Sequence, residues 1–244
     1  MSESKIRLDQ LLVKKGLVES RQKAKALIMA GAVFVNGRRI DKPGNRVLES
    51  VDIYIKAQQR YVSRGGIKLE AALKEFRIDV RGKTFIDIGA STGGFTDCLL
   101  QHGAKKVIAV DVGYGQLHWK LRNDPRVEVL EKTNARYLTL EKIGEKADGA
   151  TIDVSFISLK LIIPPVSDLL KDTAIIIALI KPQFEAGKEK IGKGGVVRDP
   201  LVHKEVIEQI TEFSKTLGWT PKGLIPSPLL GPKGNKEFFI YLVR

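Results

Sequence analysis

The chain has 244 residues, of which 43% are hydrophobic and 28% charged, a composition typical of an ordinary globular protein with one large domain and a small one. No apolar run approaches the ~20 residues of a membrane span, and residues 1–20 are charged, so the sequence predicts neither a membrane span nor a secretory signal. One cysteine and three histidines predict no internal disulfide and no metal cluster, and we expect a cytoplasmic protein. The net charge is +13, and +7 of it lies in residues 1–60, a density expected of a module that binds a polyanion.

Residues 1–60 carry the patterns of two short helices and a hairpin. Leucines at i, i+3 and i+4 predict a first helix over 6–15, and Ser20 has the side chain expected of an N-cap for a second helix, which ends before Gly31. The dipeptide Asn36-Gly37 is typical of a tight turn between two strands. The strands predicted in this segment are 33–35, 38–40 and 51–55.

Three stretches of this segment resemble the S4 RNA-binding domain: Arg7-Leu8-Asp9, Ser20-Arg21-Gln22-Lys23-Ala24, and the run from Leu27 to Gly37. The resemblance implies docking to structured RNA through phosphate and 2′-hydroxyl contacts rather than base reading. For any one basic side chain, a solvated surface charge is an equally good interpretation. By position, the expected RNA contacts are Arg7, Arg21, Lys23, Lys25, Arg38 and Arg39.

A junction follows the small module. Residues 57–62 are polar and then apolar, as in a linker, and the glycines of Ser63-Arg64-Gly65-Gly66 permit a hinge. Beyond them an apolar repeat predicts an amphipathic helix, with Lys68 beside its apolar stripe and Arg64 as a further candidate RNA contact. We therefore assign a small domain to 1–60, a linker to 61–66 and a large domain to 67–244.

Strands and helices alternate through the large domain, which predicts a Rossmann-like α/β fold with a mostly parallel sheet and helices on both faces. The last strand follows its predecessor closely enough to return antiparallel. Ligands in such sheets bind beyond the carboxyl ends of the strands. The predicted strands are 84–88, 106–110, 127–130, 149–153, 174–180, 220–225 and 237–242, and the predicted helices are 94–102, 158–170 and 201–217.

The first of these strands leads into a glycine-rich turn, residues 89–94, and the second ends in Asp111, a position where Rossmann-like folds bind a ribose. A dinucleotide site is one interpretation, but the spacing is not G-x-G-x-x-G and Asp87 would lie close to a pyrophosphate. A hydrolase elbow is a second, because residues 89–93 match G-x-S-x-G and Asp153 and His203 follow in the order of a triad. That interpretation lacks an earlier strand to supply the oxyanion loop.

S-adenosylmethionine is the third interpretation and the one we favour. This ligand carries a sulfonium cation and no phosphate, so a carboxylate beside the glycine turn assists its binding. After the third strand, Thr133-Asn134-Ala135 are placed to face an adenine ring. The candidate cofactor-binding residues are Asp87, Gly89, Ala90, Ser91, Gly93, Gly94, Phe95, Thr96, Asp111, Asn134 and Asp153.

Charged residues also stand at the ends of later strands. Lys181 directly follows a buried strand, where a lysine requires a partner, and Asp153 at the neighbouring strand end is a candidate for a structural or a catalytic pair. With Lys68 and Glu237, these residues resemble the Lys-Asp-Lys-Glu tetrad of FtsJ-like ribose 2′-O-methyltransferases. Together with the S4-like module and the segments Ile152-Asp153-Val154-Ser155-Phe156 and Lys181-Pro182-Gln183-Phe184-Glu185, the whole chain resembles the TlyA/hemolysin A family.

The resemblance implies S-adenosylmethionine as cofactor, ribosomal RNA or ribosomal subunits as partner, and transfer to a cytidine 2′-hydroxyl, with Lys68, Asp153, Lys181 and Glu237 as catalytic residues. Lys181 would accept the hydroxyl proton or stabilise the developing alkoxide, while Asp153 and Glu237 orient the two lysines. The glycine-rich loop 186–198 either closes over RNA or is a surface excursion. A membrane-active hemolysin and a non-catalytic RNA-binding protein are the alternative functions; the sequence offers no long amphipathic helix for the first.

Overall fold

The computed structural model describes residues 5–56 and 60–244. The chain divides into two compact units, Met1–Gln59 and Arg60–Arg244, and each is described here by itself. Part of the predicted linker segment, residues 57–59, lies outside the described residues.

The smaller unit contains both predicted helices and the predicted hairpin. The Ser20 hydroxyl accepts a hydrogen bond from the Lys23 amide, which is the expected N-cap. Asn36 and Gly37 have φ values of 48° and 76°, as a tight hairpin turn requires. The sequence did not predict the strands Lys5–Arg7 and Arg46–Leu48, because three residues are too few to show an alternation of apolar and polar side chains. The elements are β1 (Lys5–Arg7), α1 (Leu8–Lys14), α2 (Arg21–Met29), β2 (Val33–Val35), β3 (Arg38–Ile40), β4 (Arg46–Leu48) and β5 (Ile53–Ile55).

Strands β3, β2 and β5 form an antiparallel sheet, and β1 pairs with β4 in a second one. The two helices pack on these strands around a small apolar core. Its fully buried members include Leu8, Leu12 and Ile28, which come from the faces that the helical pattern predicts. A core of this size leaves the basic side chains of the unit on its surface.

The larger unit is built on one seven-stranded sheet. Its strands are β6 (Thr84–Ile88), β7 (Lys106–Val110), β8 (Val127–Leu130), β9 (Ala147–Ile152), β10 (Leu170–Ile180), β11 (Thr220–Pro226) and β12 (Phe238–Val243). Their order is β11-β12-β10-β9-β6-β7-β8, and β12 alone runs antiparallel to its neighbours. The predicted Rossmann-like sheet with a reversed last strand is confirmed.

Helices cover both faces of this sheet. Along β6 the side chains alternate, so that Phe85 joins one apolar cluster with Leu69 and Leu99, while Ile86 joins the other with Ile210. Short 3-10 turns at Ala135–Tyr137, Leu159–Leu161, Lys188–Lys190 and Pro232–Gly234 complete the unit. The helices are α3 (Arg64–Glu75), α4 (Gly94–Gln101), α5 (Trp119–Arg122), α6 (Leu140–Ile143), α7 (Ile163–Ser167), α8 (Pro182–Glu185) and α9 (Pro200–Thr216).

Two predicted boundaries need correction. The helix predicted over 158–170 is only α7 with a preceding 3-10 turn, because two prolines start it and β10 already begins at Leu170. That strand begins four positions before the predicted one because a register shift between Leu170 and Ile175 interrupts its apolar pattern with polar residues.

The predicted linker 61–66 contains the start of a helix. Helix α3 begins at Arg64, and the Ser63 side chain caps it by accepting a hydrogen bond from the Gly65 amide. A Cβ at Gly66 would overlap the buried Tyr61 ring, so the absence of a side chain at Gly66 allows close packing here. Residues 61–66 therefore form part of the structured larger unit.

Candidate functional site

The predicted glycine turn connects β6 to α4. A Cβ at Gly89, where φ is +80°, would lie 2.5 Å from the Asp153 carbonyl oxygen, so the turn passes directly against the end of β9. Gly93 has φ +93° and precedes α4, and a side chain there would overlap Leu121. These two glycines let the turn lie close to its neighbours and bring the start of α4 to the carboxyl edge of the sheet.

Two cavities meet at this edge. The first, about 380 Å³, lies between the start of α3, the glycine turn and the loop at 230–233. The second, about 460 Å³, lies beyond β7 and β8 and is lined by Asp111, Asn134 and Ile157, among others. Gly89, Ser91 and Asp153 line both cavities, so the two cavities adjoin at the glycine turn and the end of β9. Of the charged residues predicted at strand ends, Asp111 and Asp153 are among the lining residues, whereas Asp87, Lys181 and Glu237 are not.

The four residues of the predicted tetrad form two ion pairs. Lys181 Nζ lies 2.7 Å from Asp153 Oδ1 and donates a hydrogen bond to Ser155 Oγ at 2.9 Å. Lys68 Nζ lies 2.6 Å from Glu237 Oε2. Because β12 is antiparallel, its start faces the carboxyl end of β10, which brings Glu237 to the same edge as Lys181. Lys68 and Asp153 line the first cavity together.

The pairs explain why two lysines are buried at this edge. Only 9% of the Lys181 side chain and 12% of the Lys68 side chain are exposed, and each ammonium has a carboxylate beside it. Glu237 is the interior member of its pair, with none of its side chain exposed. The pairing offsets the unfavourable helix dipole that the sequence indicated for Lys68 near the start of α3.

Asp111 and Asn134 lie on the second cavity. Asp111 accepts hydrogen bonds from the Ser91 amide at 2.8 Å and the Gly113 amide at 2.7 Å, which ties the glycine turn to the loop after β7. The Asn134 side chain accepts from the Arg136 amide and so caps a short 3-10 turn. Ala90, Gly94 and Phe95 line the first cavity.

Asp87 and Thr96, which the sequence predicts as cofactor contacts, lie beneath the turn. Asp87 accepts hydrogen bonds from Thr96 Oγ1 at 2.7 Å and Thr151 Oγ1 at 2.9 Å, and both partners are fully buried. Neither residue lines either cavity. Burial raises the pKa of Asp87 to about 6. The position of these residues makes them a link between β6, α4 and β9.

Phe156 is a feature that sequence reasoning missed. It lines the second cavity, 90% of it is exposed, and its φ is +64°, which is rare for an aromatic residue. Its ring centroid lies 4.9 Å from that of Phe184, in the helix that follows Lys181. The available signal was a phenylalanine in a polar turn three residues after a strand-end aspartate. Exposed aromatic faces of this kind stack on nucleobases.

The hydrolase interpretation does not fit the structure. Asp153 pairs with Lys181 instead of a histidine, and the His203 Nε2 atom lies 3.0 Å from the Val197 carbonyl oxygen. The His203 ring is buried against Phe238. Ser91, His203 and Asp153 therefore do not form a Ser-His-Asp relay.

The predicted RNA contacts fall into two groups. Arg7 and Arg21 in the smaller unit both bind the carboxylate of Asp9, whereas Lys23 pairs with Glu19 on the surface. The second group has no ion pair among the described residues and is exposed: Lys25, Arg38 and Arg39. In the larger unit, Arg64 is exposed, lines the first cavity and donates to the Leu230 carbonyl at 3.5 Å.

The loop 186–198 is anchored at several points. Lys190 pairs with Glu205 of α9, and the Asn235 side chain accepts from the Val197 amide and donates to the Gly195 carbonyl. These contacts connect the loop to the segment that immediately precedes Glu237.

Comparisons with known proteins agree with this architecture. The FtsJ-like methyltransferase family matches residues 61–244, and the S4 domain matches residues 6–53. YqxC of Bacillus subtilis (strain 168) is 54% identical over 99% of this chain and 87% of its own. The 16S/23S rRNA (cytidine-2′-O)-methyltransferase TlyA of Mycobacterium tuberculosis (strain ATCC 25618 / H37Rv) is 47% identical, over 97% of this chain and 89% of its own. Hemolysin A of Brachyspira hyodysenteriae is 41% identical over 98% of this chain and all of its own.

Proposed function

Because the chain belongs to the FtsJ-like methyltransferase family and carries an S4 domain, we propose that it methylates the 2′-hydroxyl of a cytidine in ribosomal RNA. The observation that carries the proposal is that two lysine–carboxylate pairs each contribute one residue, Lys68 and Asp153, to the cavity beside the glycine turn. We place the reaction in the cytoplasm, on ribosomal RNA or on assembled ribosomal subunits.

The cofactor is S-adenosylmethionine, and the residues at the strand ends fit it. When bound, it supplies an electrophilic methyl group on a sulfonium. In the second cavity Asp111 would bind a ribose, and Asn134 and Ile157 would contact an adenine ring, while the glycine turn and the start of α4 border the first cavity. A carboxylate shared by both cavities, that of Asp153, suits a cationic ligand better than a pyrophosphate.

We assign the ribose hydroxyl to the first cavity, next to Asp153 and Lys68. The attacking oxygen carries partial negative charge when its proton is removed ahead of its bond to the methyl carbon, and the electron pair of the breaking carbon–sulfur bond stays on sulfur. Lys181 stabilises that charge, since its ammonium is held by Asp153 and Ser155 and needs no reorientation. Asp153 is the carboxylate available to the departing proton. Glu237 fixes Lys68 on the opposite wall.

Recognition of the substrate is divided between the two units. The smaller unit supplies phosphate contacts from its exposed arginines and lysines, which set affinity and orientation without reading sequence. Beside the second cavity, Phe156 offers a ring face on which a base can stack. Stacking against this face would hold the target nucleotide while its ribose enters the first cavity.

A membrane-active hemolysin is suggested by the name of one relative, Hemolysin A of Brachyspira hyodysenteriae. In the part of the chain that the structure describes, no helix combines the length and the apolar character needed to cross a bilayer. A non-catalytic RNA-binding protein would have no need for two buried ion pairs beside a glycine turn. The experiment that follows separates this alternative from an enzyme.

Purified protein is incubated with S-adenosylmethionine carrying a labelled methyl group and with unmodified 16S and 23S rRNA transcripts or with ribosomal subunits. We expect label in RNA, and we expect it on a cytidine ribose when nucleosides are analysed by mass spectrometry. Label on a base would contradict the 2′-hydroxyl assignment. Binding of cofactor and RNA without any transfer would favour the non-catalytic alternative.

A further inference from the structure

The smaller unit buries one carboxylate between two arginines. Asp9, at the start of α1, has no exposed surface, and its Oδ1 accepts from Arg7 Nε at 3.0 Å. Its Oδ2 accepts from Arg7 Nη2 at 3.2 Å and from Arg21 Nε at 2.9 Å. The hydrogen bonds from Arg7 lower the pKa of Asp9, so the carboxylate is ionised at neutral pH.

The two guanidinium groups remain accessible despite this contact. The Arg7 side chain is 39% exposed and the Arg21 side chain 48% exposed. Arg21 uses only its Nε toward Asp9, and among the described residues its two Nη groups make no other hydrogen bond. Arg7 is further held against Gly44, where a Cβ would approach its Nη1 to 3.3 Å. Each guanidinium group is thus held by Asp9 while its side chain stays partly exposed.

This arrangement has a consequence for anion binding. Two guanidinium groups side by side repel each other, and the shared carboxylate removes that repulsion while leaving a net charge of +1. An arginine that is already ordered loses less conformational freedom when it binds a phosphate, because its planar fork does not have to be positioned. Stability alone does not account for this buried carboxylate, because a buried ion pair contributes little net free energy to folding.

We propose that Asp9 is a positioning residue, which orients Arg7 and Arg21 as one clamp for a phosphate group of the RNA backbone. The inference rests on the proposed function, because the phosphate belongs to the RNA substrate. It assigns to an acidic side chain a favourable role in binding a polyanion, through the two arginines that it holds. A simple charge argument predicts the opposite effect for Asp9.

The test compares two substitutions that change the net charge equally. Asp9→Asn removes the buried carboxylate, and Glu49→Gln removes an exposed one that pairs with Lys14 at 2.7 Å in the same unit. Binding of the full chain to an unmodified 23S rRNA transcript is measured at fixed salt. We expect the first variant to bind roughly tenfold more weakly, although it is more positive, and the second to bind as tightly as the wild type or more tightly. The KM for RNA should rise with Asp9→Asn while kcat and cofactor affinity stay unchanged.

Arg21→Lys provides a second test of the proposed role of Asp9 if Asp9→Asn unfolds the smaller unit. It keeps the charge at a half-exposed position but loses the Nε hydrogen bond, so we again expect roughly tenfold weaker binding. Where both single variants fold, the double variant should lose little more than either, since both break the same contact. Asp9→Asn that folds and binds like Glu49→Gln, or Arg21→Lys that binds like the wild type, would overturn the inference. Failure of the wild type to bind the transcript would instead count against the proposed function.

Discussion

The two units place cations against carboxylates in opposite ways. In the smaller unit the carboxylate of Asp9 is buried and its arginines reach the surface. In the larger unit the lysines themselves are withdrawn from solvent, and Lys68 and Asp153 face a cavity. Exposed guanidinium groups suit contacts with phosphate, whereas enclosed ammonium groups strongly stabilise negative charge that develops beside them. We therefore propose that the same pairing of charges serves binding in one unit and chemistry in the other.

The largest effect on the rate of methyl transfer is expected from Lys181→Ala. Loss of an ammonium at the attacking oxygen should lower kcat by about 10²–10⁴-fold. Cofactor affinity, measured by titration calorimetry, should change little. Lys171 offers a matched control, because it pairs with Asp148 at 2.6 Å on the same two strands but at their opposite ends. Lys171→Ala should keep near wild-type turnover; equal losses in the two variants would remove Lys181 from the chemistry.

Phe156 should separate stability from activity. Its left-handed backbone is strained, so Phe156→Gly should stabilise the protein by about 1 kcal/mol in thermal unfolding while methylation of rRNA falls roughly tenfold through loss of stacking. Leu201→Ala, which removes another exposed apolar side chain, is the control. Activity retained in Phe156→Gly would exclude base stacking at this ring.

Asp87 gives a pH-dependent effect in the interior of the larger unit. Burial raises its pKa from 3.8 to about 6, so folding favours the neutral carboxyl. Its stabilising contribution is complete below pH 4 and is lost as the pH rises through 6, by about 3 kcal/mol in total. Unfolding by denaturant across this range should show the loss in the wild type and less of it in Asp87→Asn. Parallel curves for the two proteins would contradict this account of Asp87.

The smallest effect is expected at the exposed arginines of the smaller unit. Arg38→Ala should weaken binding to rRNA and reduce the slope of log affinity against log salt by about 0.7–0.9 if its partner is one phosphate. Turnover at saturating RNA should be unchanged, in contrast to Lys181→Ala. An unchanged slope would make Arg38 a solvated surface charge.

The fold followed closely from local patterns. Alternation of apolar strands with helices predicted the sheet, and the short last connection predicted the reversal of β12. The site was predictable where a charged residue follows a buried strand, as Lys181 does. The strained turn at Phe156 and the shared carboxylate of Asp9 depend on tertiary contacts between segments, which periodicity does not encode. For the same reason Gly66 suggested a hinge, although the Tyr61 ring fills the space that a side chain would need.

A map of ribose methylation in rRNA tests the central claim most directly. RNA is taken from cells that lack this protein and from the same cells complemented with wild type, Lys181→Ala or Lys171→Ala. We predict a cytidine 2′-O-methyl group that is absent without the protein, restored by wild type and Lys171→Ala, and not restored by Lys181→Ala. An identical map in all four samples, or restoration by Lys181→Ala, would contradict the account.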